Sequence, residues 1–445
     1  MLSHINNQYE LGYRGLLSLF TMSWRTNIGR YTERVLFILL VSCLLFFNPM
    51  IALRSLFSDN EGILIGMLMS TLLSLMLVRM FLRNYNRYNY NGIMLLWFGI
   101  YSITRFILVG AEWRWQIIAF ISILLGVVAS YRALNKYFQE TIICALMFAM
   151  IVHSIVIIFM PMTATDGIEL PQIFGMDISD DLFVQRAMGF TTAPGFLSLL
   201  SIIGLAISIQ LMISGRIWPW ILLFSSSLFC GISTGNRSFL VGVVVIIIMT
   251  IILSKLTLRF VGGAIFIISI IVISMVYVFS HTIYGTYMYE RFIGETFTVD
   301  FSNRIYGEMG IVNVVENIWD SPFLGSADTL PGTNTLAVFV GRDWFMPHNS
   351  FIWIIGSRGV IAGVLFIVWN IIAVYNFWKL HQRQRRYNYD FNSLPASLWL
   401  IAFIAGQAGC LADPLLETPI MMFLLGMGIG LSKRYRLKTG NLPLK

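Results

Sequence analysis

Charged side chains are scarce, making up 12% of the 445 residues, about half the share found in an ordinary soluble domain. A chain so poor in charge lacks a water-facing surface of the usual kind. Cysteine is scarce as well. Cys43, Cys144, Cys230 and Cys410 all fall inside apolar blocks, and no two share a CxxC spacing. That argues against a disulfide framework and a thiolate metal site, and leaves small, polarizable core packing. Chemical signatures are also missing. There is no GxxxxGKS/T loop for a nucleotide, no HExxH, and no DxD or acid pair beside a histidine for a metal. A chemistry of arginine and histidine fits best, with no cofactor and no metal expected. The first 34 residues carry Arg14, Arg25, Arg30 and Arg34 without the apolar core and cleavage site of a signal peptide. The first apolar block is therefore expected to act as its own insertion signal.

Hydrophobic residues, by contrast, reach 57%. They concentrate in blocks of roughly 18 to 22 residues, the length that crosses about 30 Å of hydrocarbon as a helix. Each block is apolar all round, whereas a helix of a soluble core shows a stripe. Spans are predicted near 35–53, 62–82, 92–110, 115–131, 141–160, 192–214, 217–234, 238–255, 258–280, 359–378, 395–413 and 415–432. The expected fold is an all-α polytopic membrane protein of about twelve transmembrane helices. Only Ala412-Asp413-Pro414 separates the last two, so a re-entrant pair is the alternative there.

Basic residues in short loops set the orientation. With the N-terminus in the cytoplasm, the inner segments hold Arg83, Arg87, Arg132, Lys136, Arg216, Lys255 and Arg259. They also hold the cluster Lys379, Arg383, Arg385 and Arg386, and a tail with Lys433, Arg434, Arg436, Lys438 and Lys445. Every lysine lies on that side. The net charge of +8 then reflects topology and anionic lipid at the cytoplasmic leaflet, and nucleic acid is not the expected partner. The organisation that follows starts with a cytoplasmic segment 1–34 and nine helices over 35–280, with an outside loop at 161–191. A large outside loop 281–358, three helices over 359–432 and a basic cytoplasmic tail 433–445 complete it. Outside loops of this length are usually functional.

Arginines that remain outside need a reason, and a guanidinium pairs with carboxylate or phosphate. Arg237 sits in the tight outside turn Ser233-Thr234-Gly235-Asn236-Arg237-Ser238; an interfacial anchor that snorkels is the competing reading. Arg304 opens Ser302-Asn303-Arg304-Ile305-Tyr306, where Ile305, Met309, Val312, Val315 and Trp319 recur at helical spacing. That pattern predicts an amphipathic helix over 303–320 inside the large outside loop. Arg186 lies in Arg186-Ala187-Met188-Gly189, where Gly189, Pro194 and Gly195 suggest a bent approach to a span, with a plain helix entry as the competing reading. His348 follows Met346-Pro347 and is read as opening a long apolar helix at the membrane boundary. A neutral imidazole there can take a proton from a hydroxyl, and a capping or interfacial histidine is the alternative. Asn349 and Arg358, in the same stretch, are secondary candidates.

These pieces together resemble the O-antigen ligase and O-antigen polymerase family of bacterial glycan assembly. The resemblance rests on Gly235-Asn236-Arg237-Ser238 and on Arg304 followed by Asn317-Ile318-Trp319-Asp320-Ser321-Pro322-Phe323-Leu324-Gly325. It also rests on His348-Asn349-Ser350 with Gly359 and Gly363 beyond, and it covers roughly 186–370. It implies a GT-C-like glycosyltransferase of the bacterial inner membrane with both termini cytoplasmic. Such an enzyme moves a glycan from undecaprenyl diphosphate to a glycan or lipid A core acceptor on the periplasmic face. Arg237 and Arg304 would grip the donor diphosphate, Arg186 would assist, and His348 would deprotonate or orient the acceptor hydroxyl. A donor already activated needs neither nucleotide nor metal, and a chain-length regulator is a further partner to expect. Ligases of the family tend to follow His-Asn by nine residues, Gly, two residues and a small or polar residue. Here Gly359 fits, but Ala362 takes the last place and Gly363 comes one later. That departure tilts the expectation towards a polymerase, with the ligase as alternative.

The rival from another class is a transporter or flippase for polysaccharide or lipid-linked sugars. It should carry repeats and polar residues near the bilayer midplane. No halves match by eye here, and the polar cluster lies at the outer surface. A structural scaffold is a third option, which the scarcity of outside basic residues disfavours.

Overall fold

In hydrocarbon every backbone N–H and C=O must be satisfied within its own segment, so apolar runs of this length become helices. The computed structural model describes residues 42, 45–46, 122–123, 126–127, 130, 136–159, 176–178, 185–187, 189, 191, 194–214, 220–253, 322–323, 327–329, 336–338, 349–386, 395–411 and 418–439. Their helices are α1 (Lys136–Phe159), α2 (Pro194–Ile213), α3 (Ile221–Ser233), α4 (Arg237–Leu253), α5 (Ser350–Arg358), α6 (Val360–Arg386), α7 (Ala396–Cys410) and α8 (Pro419–Thr439). Three stretches, Gln139–Phe159, Gly195–Ile213 and Val360–Arg386, are long and apolar enough to cross a membrane. Ile221–Ser233, Arg237–Leu253, Ala396–Cys410 and Pro419–Leu431 are shorter apolar helices. The protein is thus helical, with membrane-spanning helices. Seven of the runs read as spans are helical here, while the runs before residue 132 and at 258–280 lie largely or wholly outside the described residues.

Two antiparallel ladders interrupt the helical pattern: β1 (Met176–Ile178) with β2 (Gln185–Ala187), and β3 (Ala327–Thr329) with β4 (Leu336–Val338). The hydrophobic pattern predicts neither. Each strand has three residues, too few for an alternation to show above the background.

At the centre stands α7, packed by α2, α4, α6 and α8. Twelve of its residues, from Ala396 to Cys410, are buried, as a helix that is apolar all round requires. Polar cross-links fix its register. The Ser397 hydroxyl donates to Gln210 Oε1 at 3.1 Å, and Gln210 Nε2 donates to Thr250 Oγ1 at 3.1 Å. Trp399 Nε1 donates to Gln139 Oε1 at 3.2 Å, and Gln407 Nε2 to Asn370 Oδ1 at 2.7 Å. Its N-cap, Pro395, has no side-chain donor or acceptor, so Gln384 of α6 reaches across and accepts from the Ala396 N–H at 2.6 Å. Such bonds contribute on average about 0.6 kcal/mol each inside a membrane protein. They select the register, and close packing supplies most of the attraction.

The contacts also give directions. Ser198 meets Ser238 at 3.1 Å and Gln210 meets Thr250, so α2 and α4 run parallel. Ser397 meets Gln210 whereas Gly409 lies against Leu199 and Ile202, so α7 runs antiparallel to both. The N-termini of α2 and α4 and the C-terminus of α7 therefore share one end of the bundle.

Candidate functional site

At that end, α3 gives way to α4 in three residues. Thr234 ends α3, its N–H bonded to the Cys230 carbonyl at 3.1 Å and its hydroxyl donating to the Gly231 carbonyl at 2.7 Å. Gly235 follows with φ 56°, in the left-handed region open to glycine. The Asn236 N–H then returns to Thr234 Oγ1 at 3.2 Å. Asn236 also begins α4: its Oδ1 accepts from the Ser238 N–H at 3.1 Å and its carbonyl accepts from the Phe239 N–H at 3.1 Å. The Phe239 ring folds back over Gly231, leaving no room there for a side chain. Thr234, Asn236 and Ser238 are buried.

Arg237 is what this turn presents, half-buried in the first turn of α4. A cation here opposes the helix dipole, which costs about 0.3–1 kcal/mol. The Ser238 and Phe239 N–H groups are already engaged, so this helix end has little backbone left for an anion. The Arg237 guanidinium is the cationic group that this turn carries.

The second part of the site is the start of α5. Asn349 caps it, its Oδ1 accepting from the Phe351 N–H at 3.0 Å and the Ile352 N–H at 3.2 Å. Its other side-chain atom, Nδ2, donates to the Leu411 carbonyl at 3.3 Å, beyond the last turn of α7. One amide thus caps one helix and ties it to another. The same end of α7 touches the arginine turn: a Cβ on Gly409 would stand 3.9 Å from the Ser238 carbonyl oxygen. The Arg237 turn and the Asn349 cap therefore flank one helix end, the C-terminus of α7.

The sequence reading has a long apolar helix opening at His348, and the structure corrects this. The helix that starts at Ser350 stops after nine residues, at Arg358. Gly359 has φ 86° and ψ 162°, a conformation essentially restricted to glycine. The break is held from a distance. The Val360 N–H donates to the Pro322 carbonyl at 2.7 Å, and the Phe323 carbonyl occupies the place of a Gly359 side chain. Beyond the break, Ile355 of α5 packs on Gly363 of α6. The motif pieces Pro322-Phe323, Gly359 and Gly363 therefore meet in one junction.

Arg186 lies in β2 opposite Asp177, and β2 rests against α2 and α3. Arg358 is the last residue of α5. The side chains of both lie outside the described residues, as do Arg304, His348 and the amphipathic helix expected over 303–320. Sequence reading missed the C-terminal end of α7, of which its apolar pattern carries no trace. It also passed over His153, completely buried in α1, although an ionisable side chain inside a span is a functional candidate by default.

A helical bundle with membrane-spanning helices, an arginine turn and a capped, broken helix at one end is the build of an integral membrane protein. The family model described as O-antigen ligase matches residues 221–367, from the first residue of α3 into α6. Over that stretch, about a third of its length, the chain is similar to the O-antigen ligase family. The resemblance read from Arg237, Arg304 and His348 with their neighbours is borne out at the level of the family. No curated protein matches the chain.

Proposed function

We propose that this protein transfers an undecaprenyl-diphosphate-linked glycan to an acceptor hydroxyl on the periplasmic face of the bacterial inner membrane. About twelve spans with both termini in the cytoplasm would carry the site. Arg237, Arg304 and Arg186 hold the donor diphosphate. His348 takes the proton of the acceptor hydroxyl as its oxygen bonds to the anomeric carbon. The bond from that carbon to the diphosphate breaks, its electron pair leaves with undecaprenyl diphosphate, and the guanidinium groups offset the charge that develops. The donor carries its own activation, so the residues in these roles require neither nucleotide nor metal. The observation that carries the reading is that the Asn349 cap and the Arg237 turn flank one end of α7. The residue next to Asn349 in the chain is His348.

Within the family we favour a polymerase that extends lipid-linked glycan, because Gly363 falls one place beyond the ligase spacing. The description of the matching family model favours the second reading, a ligase, for which lipid A core would be the acceptor. The test is purified full-length protein given undecaprenyl-diphosphate glycan in the presence of a chelator. Lengthened or transferred glycan is expected, with lipid A core as an added acceptor separating the two subtypes. His348→Ala should lower the rate by at least about 10²-fold, and Arg237→Ala should raise the donor KM. Full activity in the His348 variant would end the proposed mechanism.

A further inference from the structure

His153 lies in α1, six residues from its end at Phe159, in a stretch long and apolar enough to cross a membrane. It is completely buried. Its Nε2 is 3.2 Å from the Phe46 carbonyl oxygen. A carbonyl only accepts, so in the neutral ring Nε2 carries the proton and Nδ1 has the lone pair. On the Nδ1 side sits Gly189. A Cβ there would stand 2.5 Å from Nδ1, 3.2 Å from Cγ and 3.4 Å from the histidine Cβ. Gly189 has φ 56° and Thr191 is fully buried, so the turn after β2 is seated on the imidazole ring.

Gly189 lies three residues after Arg186. β2 lies against α2 and α3, and α3 ends at the Arg237 turn. The ring thus joins three segments remote in sequence: the first predicted span through Phe46, α1, and the turn that follows the strand bearing Arg186. A polar ring sealed in an apolar span is costly unless it serves such a connection.

We infer that His153 is a positioning residue for donor binding: by seating Gly189 it fixes the place of the strand that carries Arg186. This rests on the reading of Arg186 as a diphosphate-binding group. The imidazole touches no substrate and no reacting atom, so it acts on affinity for the lipid diphosphate and leaves proton transfer at His348 unaffected. A misplacement of about 1 Å is enough for a large effect.

The experiment uses full-length protein in nanodiscs with undecaprenyl-diphosphate glycan as donor, measuring KM and kcat separately. His153→Phe keeps the ring volume and removes both nitrogens. It should raise the donor KM at least about tenfold with kcat held within about twofold. His153→Gln, whose amide can still donate to the Phe46 carbonyl, should restore most of the affinity. Gly189→Ala perturbs the same contact from the other side and should show the same KM signature, so the test survives if the phenylalanine variant fails to fold. Adding His153→Phe to Arg186→Ala should cause no further rise, because both act through one guanidinium. If Arg186→Ala raises KM while His153→Phe and Gly189→Ala do not, the positioning role is wrong and the reading of Arg186 stands. If Arg186→Ala leaves KM unchanged, both fall. Full additivity of the two substitutions, or a fall in kcat alone, overturns the inference.

Discussion

Asn349 does two separable things with two atoms, and its substitution tests the site most directly. Oδ1 caps α5 by accepting from the Phe351 and Ile352 N–H groups, while Nδ2 donates to the Leu411 carbonyl. An N-cap contributes about 1 kcal/mol, and a hydrogen bond between helices of a membrane protein about 0.6 kcal/mol. Losing both in Asn349→Ala removes about 1.6 kcal/mol, a factor of about fifteen in the population with α5 anchored. Asn349→Ser keeps a good cap but is too short to reach Leu411, so only the tie is lost, a factor of about three. A helix of nine residues has little stability of its own, so the change should appear as fraying at this end. The assay is kcat/KM for glycan transfer alongside hydrogen exchange of the α5 amides. Exchange should rise in the order wild type, Ser, Ala, and transfer should fall in the same order. Equal losses in the two variants would refute the division of labour. No change in either would refute the claim that the cap and the tie hold this end of the site.

Three further outcomes follow from the geometry. Arg237→Lys keeps the charge and loses the fork of donors, so it should recover less than a third of the donor affinity lost in Arg237→Ala, read as KM for the lipid-linked glycan. Gly359→Ala puts a Cβ into the Phe323 carbonyl at φ 86°, and a loss of at least about 2 kcal/mol is expected from backbone strain alone. A lowered melting midpoint in detergent measures it. Gln210→Leu removes the bonds to Thr250 and Ser397 at about 0.6 kcal/mol each. It should lower thermal stability slightly while leaving the donor KM unchanged, since these bonds lie far along α2 from the Arg237 turn.

The helices were largely legible because the hydrocarbon leaves an apolar run few alternatives. Spans expected at 192–214 and 238–255 appear as Pro194–Ile213 and Arg237–Leu253. The expectation fell short for α6, which continues past residue 378 to Arg386. Its 27 residues measure about 40 Å, against about 30 Å of hydrocarbon, so the basic residues ride on a helix that outruns the apolar pattern. The Gly235 turn could be read from Gly-Asn between two apolar runs. The break at Gly359 could not, because its cause is a pair of carbonyls at Pro322 and Phe323, remote in sequence. The same holds for the bond from Asn349 to Leu411 and for Gly189 on His153: each is a single long-range contact with no periodic signature. Family motifs picked out the candidate residues but left their shared neighbour, the end of α7, unseen.

The bond from Val360 to Pro322 fastens the stretch between them at both ends, like the handle of a cup. A stretch held this way can be lengthened cheaply: each doubling of its length costs only about 0.6 kcal/mol in closure entropy. Residues inserted between Thr329 and Leu336, the facing ends of β3 and β4, would therefore leave the two fastening points, and the helix that departs from them, in place.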